Sequence, residues 1–386
     1  MDLELLPTTL ATSHNRTVQV IADSGQGLSR LARTLHENVA GVAVVTQDPH
    51  AHISLLRETV IEEVAISLEQ YGIAPEEMQR RCERILPLSG LTHLAERHPT
   101  ELSGGQTRRL AIATIAILEP RVLVLDDPFA GLDPHSITRI IELFRALPSD
   151  IIVLGNRPRP ELGATMLSLV DDHLIPHTPS NQKVALPERV SVAGQAPWEF
   201  QGVTARRGGR KRKWWQFHTV NAAEFVVGPL DITVYPGQVV LLQGENGSGK
   251  TTLLRAMAGL DGHAPVSDSV SLAFQHAADQ VVDSTVEAFV GDRGIVDKLG
   301  FDPEQHPLDL PARDLRLAQL AAVSAQGRDI VLLDEPDVGL DTRGRTQAHE
   351  LLADALRRGA GVVLTCHDES FVREVSGYAA VRGFVL

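Results

Sequence analysis

The clearest chemistry in the chain lies in G-x-x-x-x-G-K-T, from Gly244 to Thr251. Gly244, Glu245, Asn246, Gly247, Ser248 and Gly249 form a loop whose successive backbone N–H groups can curl around phosphate oxygens. Lys250 brings a positive charge to the terminal phosphates. The Thr251 hydroxyl, followed by Thr252, suits a Mg²⁺ ion. A second group is I-V-L-L-D-E-P, Ile330 to Pro336, an apolar run that ends in two carboxylates. Asp334 can hold Mg²⁺ through its water shell, and Glu335 can orient and deprotonate an attacking water. His367 follows the apolar run G-V-V-L-T-C, where a contact to a terminal phosphate is expected. A third group is E-L-S-G-G-Q-T-R-R, Glu101 to Arg109. Its Ser103 hydroxyl and the N–H groups of Gly104 and Gly105 at a helix start make a second anion cradle.

These groups need strands to hold them. V-V-L-L-Q before Gly244 reads as a buried strand, and a helix is expected from about Lys250. Strands alternate with helical periodicity along the whole chain, which predicts an α/β fold with a mainly parallel sheet. The order of elements then repeats. V-V-L-L-Q-G-E-N-G-S-G-K-T-T answers V-Q-V-I-A-D-S-G-Q-G-L-S-R, and D-I-V-L-L-D-E-P answers R-V-L-V-L-D-D-P, the later pairs at an offset of about 210 residues. The expected organisation is a first domain over 1–178, a proline-dotted linker over 179–196 and a second domain over 197–386. The second copy has a longer lead-in, Glu199 to Tyr235, and a helical stretch before Leu310 that looks shorter by a helix pair.

Composition narrows the class. With 43% hydrophobic and 22% charged residues, the 386-residue chain reads as globular, with no apolar run near membrane-spanning length. The acidic start M-D-L-E-L-L lacks the basic region of a secretory signal. Cys82 and Cys366 are far apart, without metal-like spacing. A formal net charge of −13 argues against a whole-surface nucleic-acid binder but leaves room for a local basic patch, and R-R-G-G-R-K-R-K-W-W-Q-F from Arg206 to Phe217 is one.

L-S-G-G-Q, Leu102 to Gln106, placed shortly before L-V-L-D-D-P, resembles the signature motif of the ATP-binding cassette (ABC) ATPases. The resemblance covers nearly the whole chain. It implies tandem P-loop nucleotide-binding domains, each with a helical signature subdomain, facing each other head to tail. One composite site then joins Gly244–Thr251, Gln275, Asp334, Glu335 and His367 to Ser103, Gly104, Gly105 and Gln106, with Asp133 nearby. The resemblance makes Glu335, His367 and Gln275 catalytic, Thr251, Gln275 and Asp334 the Mg²⁺ residues, and ATP the substrate. The other site is degraded. Its loop, Ala22 to Ser29, has Leu28 for the lysine; its carboxylates are Asp126-Asp127; Asn156-Arg157 replaces the histidine; and the opposing signature reads L-P-A-R-D, Leu310 to Asp314. That site is not expected to hydrolyse ATP.

Gln47 and Gln275 stand at the family's Q-loop, and their contexts resemble energy-coupling-factor (ECF) importer ATPases, with His52 departing from the pattern and Gln280 keeping it. The implied function is the ATP-hydrolysing subunit of an importer for a vitamin or metal ion. It would lie on the cytoplasmic face of the cell membrane, bound to integral membrane subunits and a substrate-binding component. The alternative is a soluble ABC ATPase acting on ribosomes or nucleic acid through Arg206–Phe217. An aromatic from that region stacks on adenine in the family. Arg207 occupies the position here, with Trp214 or Trp215 as substitutes.

Overall fold

The computed structural model describes Leu6 and residues 16–178, 183–192, 196–207, 225–245 and 247–386. The chain divides into two compact units, residues 1–181 and 182–386. Residues 183–192, inside the stretch read as linker, lie against the second unit: the Val190 N–H donates to the Tyr378 carbonyl at 2.7 Å.

The first unit runs β1 (Thr17–Ile21), α1 (Leu28–Asn38), β2 (Val42–Val45), α2 (Val60–Gln70), α3 (Pro75–Leu88), α4 (Gly104–Ala116), β3 (Val122–Asp126), α5 (Pro134–Ala146), β4 (Asp150–Gly155), β5 (Thr165–Val170) and β6 (His173–Pro176). Its sheet has the order β2-β3-β4-β1-β5-β6, parallel except for the β5–β6 pair.

In the second unit a hairpin, β7 (Trp198–Arg207) and β8 (Phe225–Val234), comes first. There follow β9 (Gln238–Gln243), α6 (Lys250–Met257), β10 (Val270–Ala273), α7 (Val286–Val290), α8 (Arg293–Leu299), α9 (Ala312–Ala325), β11 (Ile330–Asp334), α10 (Thr342–Arg357), β12 (Gly361–Thr365), α11 (Glu369–Tyr378) and β13 (Ala380–Val385). The order β10-β11-β12-β9-β13 repeats that of β2-β3-β4-β1-β5, so the duplication read from the sequence is a duplication of topology. One expectation needs correcting. The second copy has not lost a helix pair; α7 and α8 are shortened counterparts of α2 and α3.

Both faces of each sheet are covered, which is why the strands read as unbroken apolar runs rather than alternating ones. In the second unit Val239, Leu241, Val331, Leu333, Val362 and Leu364 face one core, while Val240, Leu242, Ile330, Leu332 and Val363 face the other. Asp334 pairs in register with Thr365, and Thr365 with Leu242, so β11, β12 and β9 end side by side. Open parallel sheets bind ligands at that edge.

Candidate functional site

Beyond β9 the chain turns sharply into α6. Gly247 and Gly249 have φ of 85° and 99°, a left-handed conformation that glycine adopts without steric cost. The loop is also crowded. A Cβ on Gly244 would lie 2.6 Å from Ser248 Oγ, and one on Gly249 would lie 2.3 Å from a Val227 methyl. Lys250 is buried, and its ammonium donates to the carbonyls of Gly244 at 2.7 Å and Glu245 at 3.0 Å. Ser248 Oγ is buried with no hydrogen-bond partner among the described residues. An orphaned hydroxyl and a buried cation in one loop, with no room for a Cβ at Gly244 or Gly249, fit a phosphate group. Thr252 is buried in the first turn of α6. Asn246 lies outside the described residues.

The carboxylate pair sits across the strand ends. Asp334 accepts from Thr365 Oγ1 at 2.7 Å and is also hydrogen-bonded by the Thr251 side chain. Burial raises its pKa above the usual carboxylate range, against the lowering effect of those two hydroxyls. A buried carboxylate touching the loop threonine suits a divalent cation sharing its ligands with phosphate oxygens. Among the described residues no cluster of three or more His, Cys, Asp or Glu could hold a metal ion.

Glu335 has φ of 50°, and Asp127, its counterpart in the first unit, has 46°. Such a conformation costs a non-glycine residue about 1–3 kcal/mol and persists only where its surroundings hold it. Here the Glu335 N–H donates to Thr365 Oγ1 at 3.0 Å and to the Thr365 carbonyl at 3.2 Å. Its side chain meets Gln275 Nε2 at 3.1 Å and His367 Nε2 at 3.3 Å. Gln275, Asp334, Glu335 and His367 therefore meet at one strand edge, with Thr251 hydrogen-bonded to Asp334.

Several supporting residues were missed in the sequence. Thr365 braces both acidic residues, Asp334 through its carboxylate and Glu335 through its backbone N–H; the signal was a threonine in register with Asp334 at the end of an apolar strand. Arg316 is buried on α9 and donates to the carbonyls of Phe274, at 2.9 Å, and Gln275. Gln319 ties Phe274 to Gln280, whose Oε1 accepts the Phe274 N–H at 3.2 Å. Phe225 on β8 reaches Gly249: a Cβ there would lie 2.9 Å from the ring. Trp214 and Trp215 lie outside the described residues, as does most of Arg206–Phe217, while Arg207 contributes its backbone to β7. The aromatic that the structure brings to the phosphate loop is Phe225.

The first unit keeps the loop shape without its cation. Gly25 and Gly27 have φ of 86° and 96°, close to their counterparts, and Ser29 Oγ donates to Asp126 Oδ2 at 2.6 Å. Leu28 packs onto the apolar cluster around Val18 and Leu31. Leu154 pairs with Asp126 where Thr365 pairs with Asp334, so the hydroxyl brace is gone as well. Burial raises both Asp126 and Asp127 above the ordinary carboxylate range.

The two signature helices also diverge. At the start of α4, Gln106 Oε1 accepts the Ser103 N–H at 3.0 Å. A Cβ on Gly105 would lie 2.9 Å from Ser136 Oγ, whereas one on Gly104 would meet nothing within 4 Å. Packing within the first unit therefore explains Gly105 and leaves Gly104 free for another role. In α9, Arg313 takes the place of Gly105 and pairs with Asp314 at 2.7 Å and with Asp341 at 3.0 Å. Gly344 stands where Ser136 does and makes room for it.

The sequence profile of the ABC transporter family matches residues 7–130 and 227–296, about half of the chain, across both units. The chain belongs to the ABC transporter family. A protein of Streptomyces coelicolor, provisionally named an ABC transporter ATP-binding protein, is 28% identical over 431 residues, covering 87% of this chain and 76% of its own length. One of Saccharolobus solfataricus with the same description is 24% identical over 406 residues, covering 88% and 76%. Among solved structures, ABCE1 in a model of ribosome-bound archaeal Pelota and ABCE1 superposes with a TM-score of 0.63 at 17% identity, covering 95% of this chain and 72% of that one. At that identity the likeness is one of fold. As an ABC ATPase with two fused domains, the chain has ATP hydrolysis as its family activity.

His52 closes the turn after β2 in the way Gln280 closes the turn after β10. Its Nε2 accepts the Thr46 N–H at 2.8 Å, as Gln280 does for Phe274. Burial lowers the His52 pKa, against the raising effect of Asp48. The depressed value means that the neutral ring stabilises the fold above the unfolded pKa, and that this contribution is lost as pH falls through the folded one. His52→Gln is expected to preserve the loop and flatten the decline in melting temperature between neutral and mildly acidic pH. An unchanged decline would show that His52 does not cause it.

Proposed function

We propose that this chain is the ATP-hydrolysing subunit of an importer, with turnover at a single composite site. The observation that carries the reading is the convergence of Gln275, Asp334, Glu335 and His367 on the strand edge beside Lys250 and Thr251. Lys250 and the loop N–H groups bind the phosphates. Bound at Thr251 and Asp334, with Gln275 alongside, Mg²⁺ supplies charge neutralisation for the phosphoryl group. Gln275 and Glu335 hold the water, Glu335 takes its proton as oxygen attacks the terminal phosphorus, and His367 holds a terminal phosphate oxygen. Phe225, beside the loop at Gly249, stacks on the base. Ser103, Gly104, Gly105 and Gln106 complete the site from the other half, which the unencumbered Gly104 supports. The Ala22–Ser29 loop does not take part in hydrolysis.

Ser103→Arg tests the pairing. It is expected to lower turnover about 100-fold, the scale of losing a donor to developing charge, although Ser103 lies in the half without a P-loop lysine. Wild-type turnover in this variant would overturn the head-to-tail site.

The transport reading rests on the names of relatives that match across both units and on apolar side chains beside the Q-loops. Leu55 and Leu56 are 52% and 77% exposed, and Val282 is 89% exposed. No helix among the described residues is long and apolar enough to cross a membrane. In this reading the membrane subunits are separate chains that dock on those side chains, with the ATPase on the cytoplasmic face. The Gln280 and His52 closures support the energy-coupling-factor type, with a vitamin or metal ion as cargo. Purification of the tagged chain from membranes decides the matter. Recovery with an integral membrane protein supports the reading; recovery with ribosomes or RNA alone replaces it with the soluble alternative.

A further inference from the structure

The second unit contains a buried polar network that the chemistry above does not use. Arg345, on α10 and only 5% exposed, donates through Nη1 to Asp368 Oδ2 at 2.8 Å, through Nη2 to Ser370 Oγ at 2.9 Å, and through Nε and Nη2 to Glu374 Oε2 at 3.0 and 2.7 Å. Behind it His349 is fully buried. Its Nε2 lies 2.8 Å from the same Glu374 oxygen and its Nδ1 lies 2.9 Å from the Tyr378 hydroxyl. The imidazole stacks on Phe371, with ring centroids 4.5 Å apart. A buried arginine with all its forks engaged is a costly feature for a core that could have been apolar.

What the network grips is the residue after His367. Asp368 caps α11, its Oδ1 accepting the Ser370 N–H at 2.8 Å. Its carbonyl accepts from Cys366 Sγ at 3.5 Å, and the same sulfur reaches Asp337 at 3.2 Å. Arg345 thus fixes the backbone on the C-terminal side of His367, while β12 fixes the other side. It sits one helical turn beyond Asp341, which caps α10 and holds Arg313.

The first unit serves as an internal control. Ile137 and Ile141 occupy the places of Arg345 and His349 in an apolar core. Arg157 stands in place of Asp368, and a short turn at Pro160–Leu162 replaces α11, so Glu374 and Tyr378 have no counterparts. The same topology is therefore stable without the network. The network accompanies the histidine: the copy with Asn156 in its place has none of it.

We infer that Arg345 is a positioning residue for ATP hydrolysis, acting through Asp368 to hold His367 against Glu335. The inference rests on the catalytic role proposed for His367 and goes beyond it, because Arg345 touches no reacting atom.

A double-mutant cycle on the full chain tests it, reading kcat, KM for ATP and the affinity for a non-hydrolysable ATP analogue. Arg345→Gln is expected to lower kcat about tenfold with KM and analogue affinity within about twofold, and Arg345→Lys to recover part of the loss. Asp368→Asn guards against a misfolded arginine variant: asparagine is a good helix cap, so the fold survives while the carboxylate is lost. It is expected to lower kcat to a similar extent. In a His367→Ala background neither substitution should lower kcat further. Additive losses there, or wild-type kcat in Asp368→Asn, would overturn the inference and leave the ATPase reading standing. Wild-type turnover in His367→Ala alone would overturn both the inference and the catalytic role proposed for His367.

Discussion

Glu335→Gln is expected to bind ATP with near wild-type affinity and to turn over about 10²- to 10⁴-fold more slowly, the range for losing a general base. The amide matches the carboxylate in shape but cannot accept the proton released when water attacks. Nothing else at the position needs the charge. The strained backbone, φ 50°, is held by the Thr365 hydroxyl and carbonyl, which bind the Glu335 N–H and not its side chain. The remaining oxygen can still meet Gln275 or His367. Binding and chemistry should therefore separate cleanly, read by analogue titration beside single-turnover hydrolysis. Substantial residual turnover would place chemistry at Asp126–Asp127. The structure argues against that: Leu154 replaces the bridging threonine, the acid is one methylene shorter, and burial raises both carboxylates.

The strands, their parallel arrangement and the duplication could be read directly from the sequence, because a sheet covered on both faces writes continuous apolar runs. The motif residues were legible for a related reason: each lies at a strand end or helix start, where spacing fixes geometry. The supports of those residues were hidden. Arg316 and Gln319 lie on a helix otherwise read only for its defective signature, and their work is to hold the backbone of Phe274 and Gln275 across more than 40 residues of sequence. His52 looked like a departure from a glutamine pattern, yet an imidazole nitrogen accepts the same backbone N–H as an amide oxygen. Arg313 looked like a mere defect. It is accommodated by Gly344, a compensation visible only once α9 and α10 are seen in contact. Phe225 was not singled out because no motif marks it; its place beside the loop shows only through its contact with Gly249, while Trp214 and Trp215 lie outside the described residues.

The comparison between copies gives Lys250→Leu an unusually clear expectation. The two loops have nearly the same backbone: φ at Gly247 and Gly249 is 85° and 99°, against 86° and 96° at Gly25 and Gly27. The first copy shows that a leucine at this position leaves the loop intact and turns toward the apolar core. Lys250→Leu therefore removes the charge without removing the loop. A charge-assisted contact contributes about 1.5–3 kcal/mol, so ATP affinity should fall roughly 10- to 150-fold. Turnover should vanish for the whole chain, since no second loop lysine exists to sustain it. Leu28→Lys added to the same chain should restore some nucleotide binding but no hydrolysis, because Asp126 still pairs with Leu154 and the second unit's signature still carries Pro311 and Arg313. Retained turnover in Lys250→Leu would mean that the degraded loop is active and that the single-site reading is wrong. Restored hydrolysis in the double variant would mean that only the lysine separates the two copies.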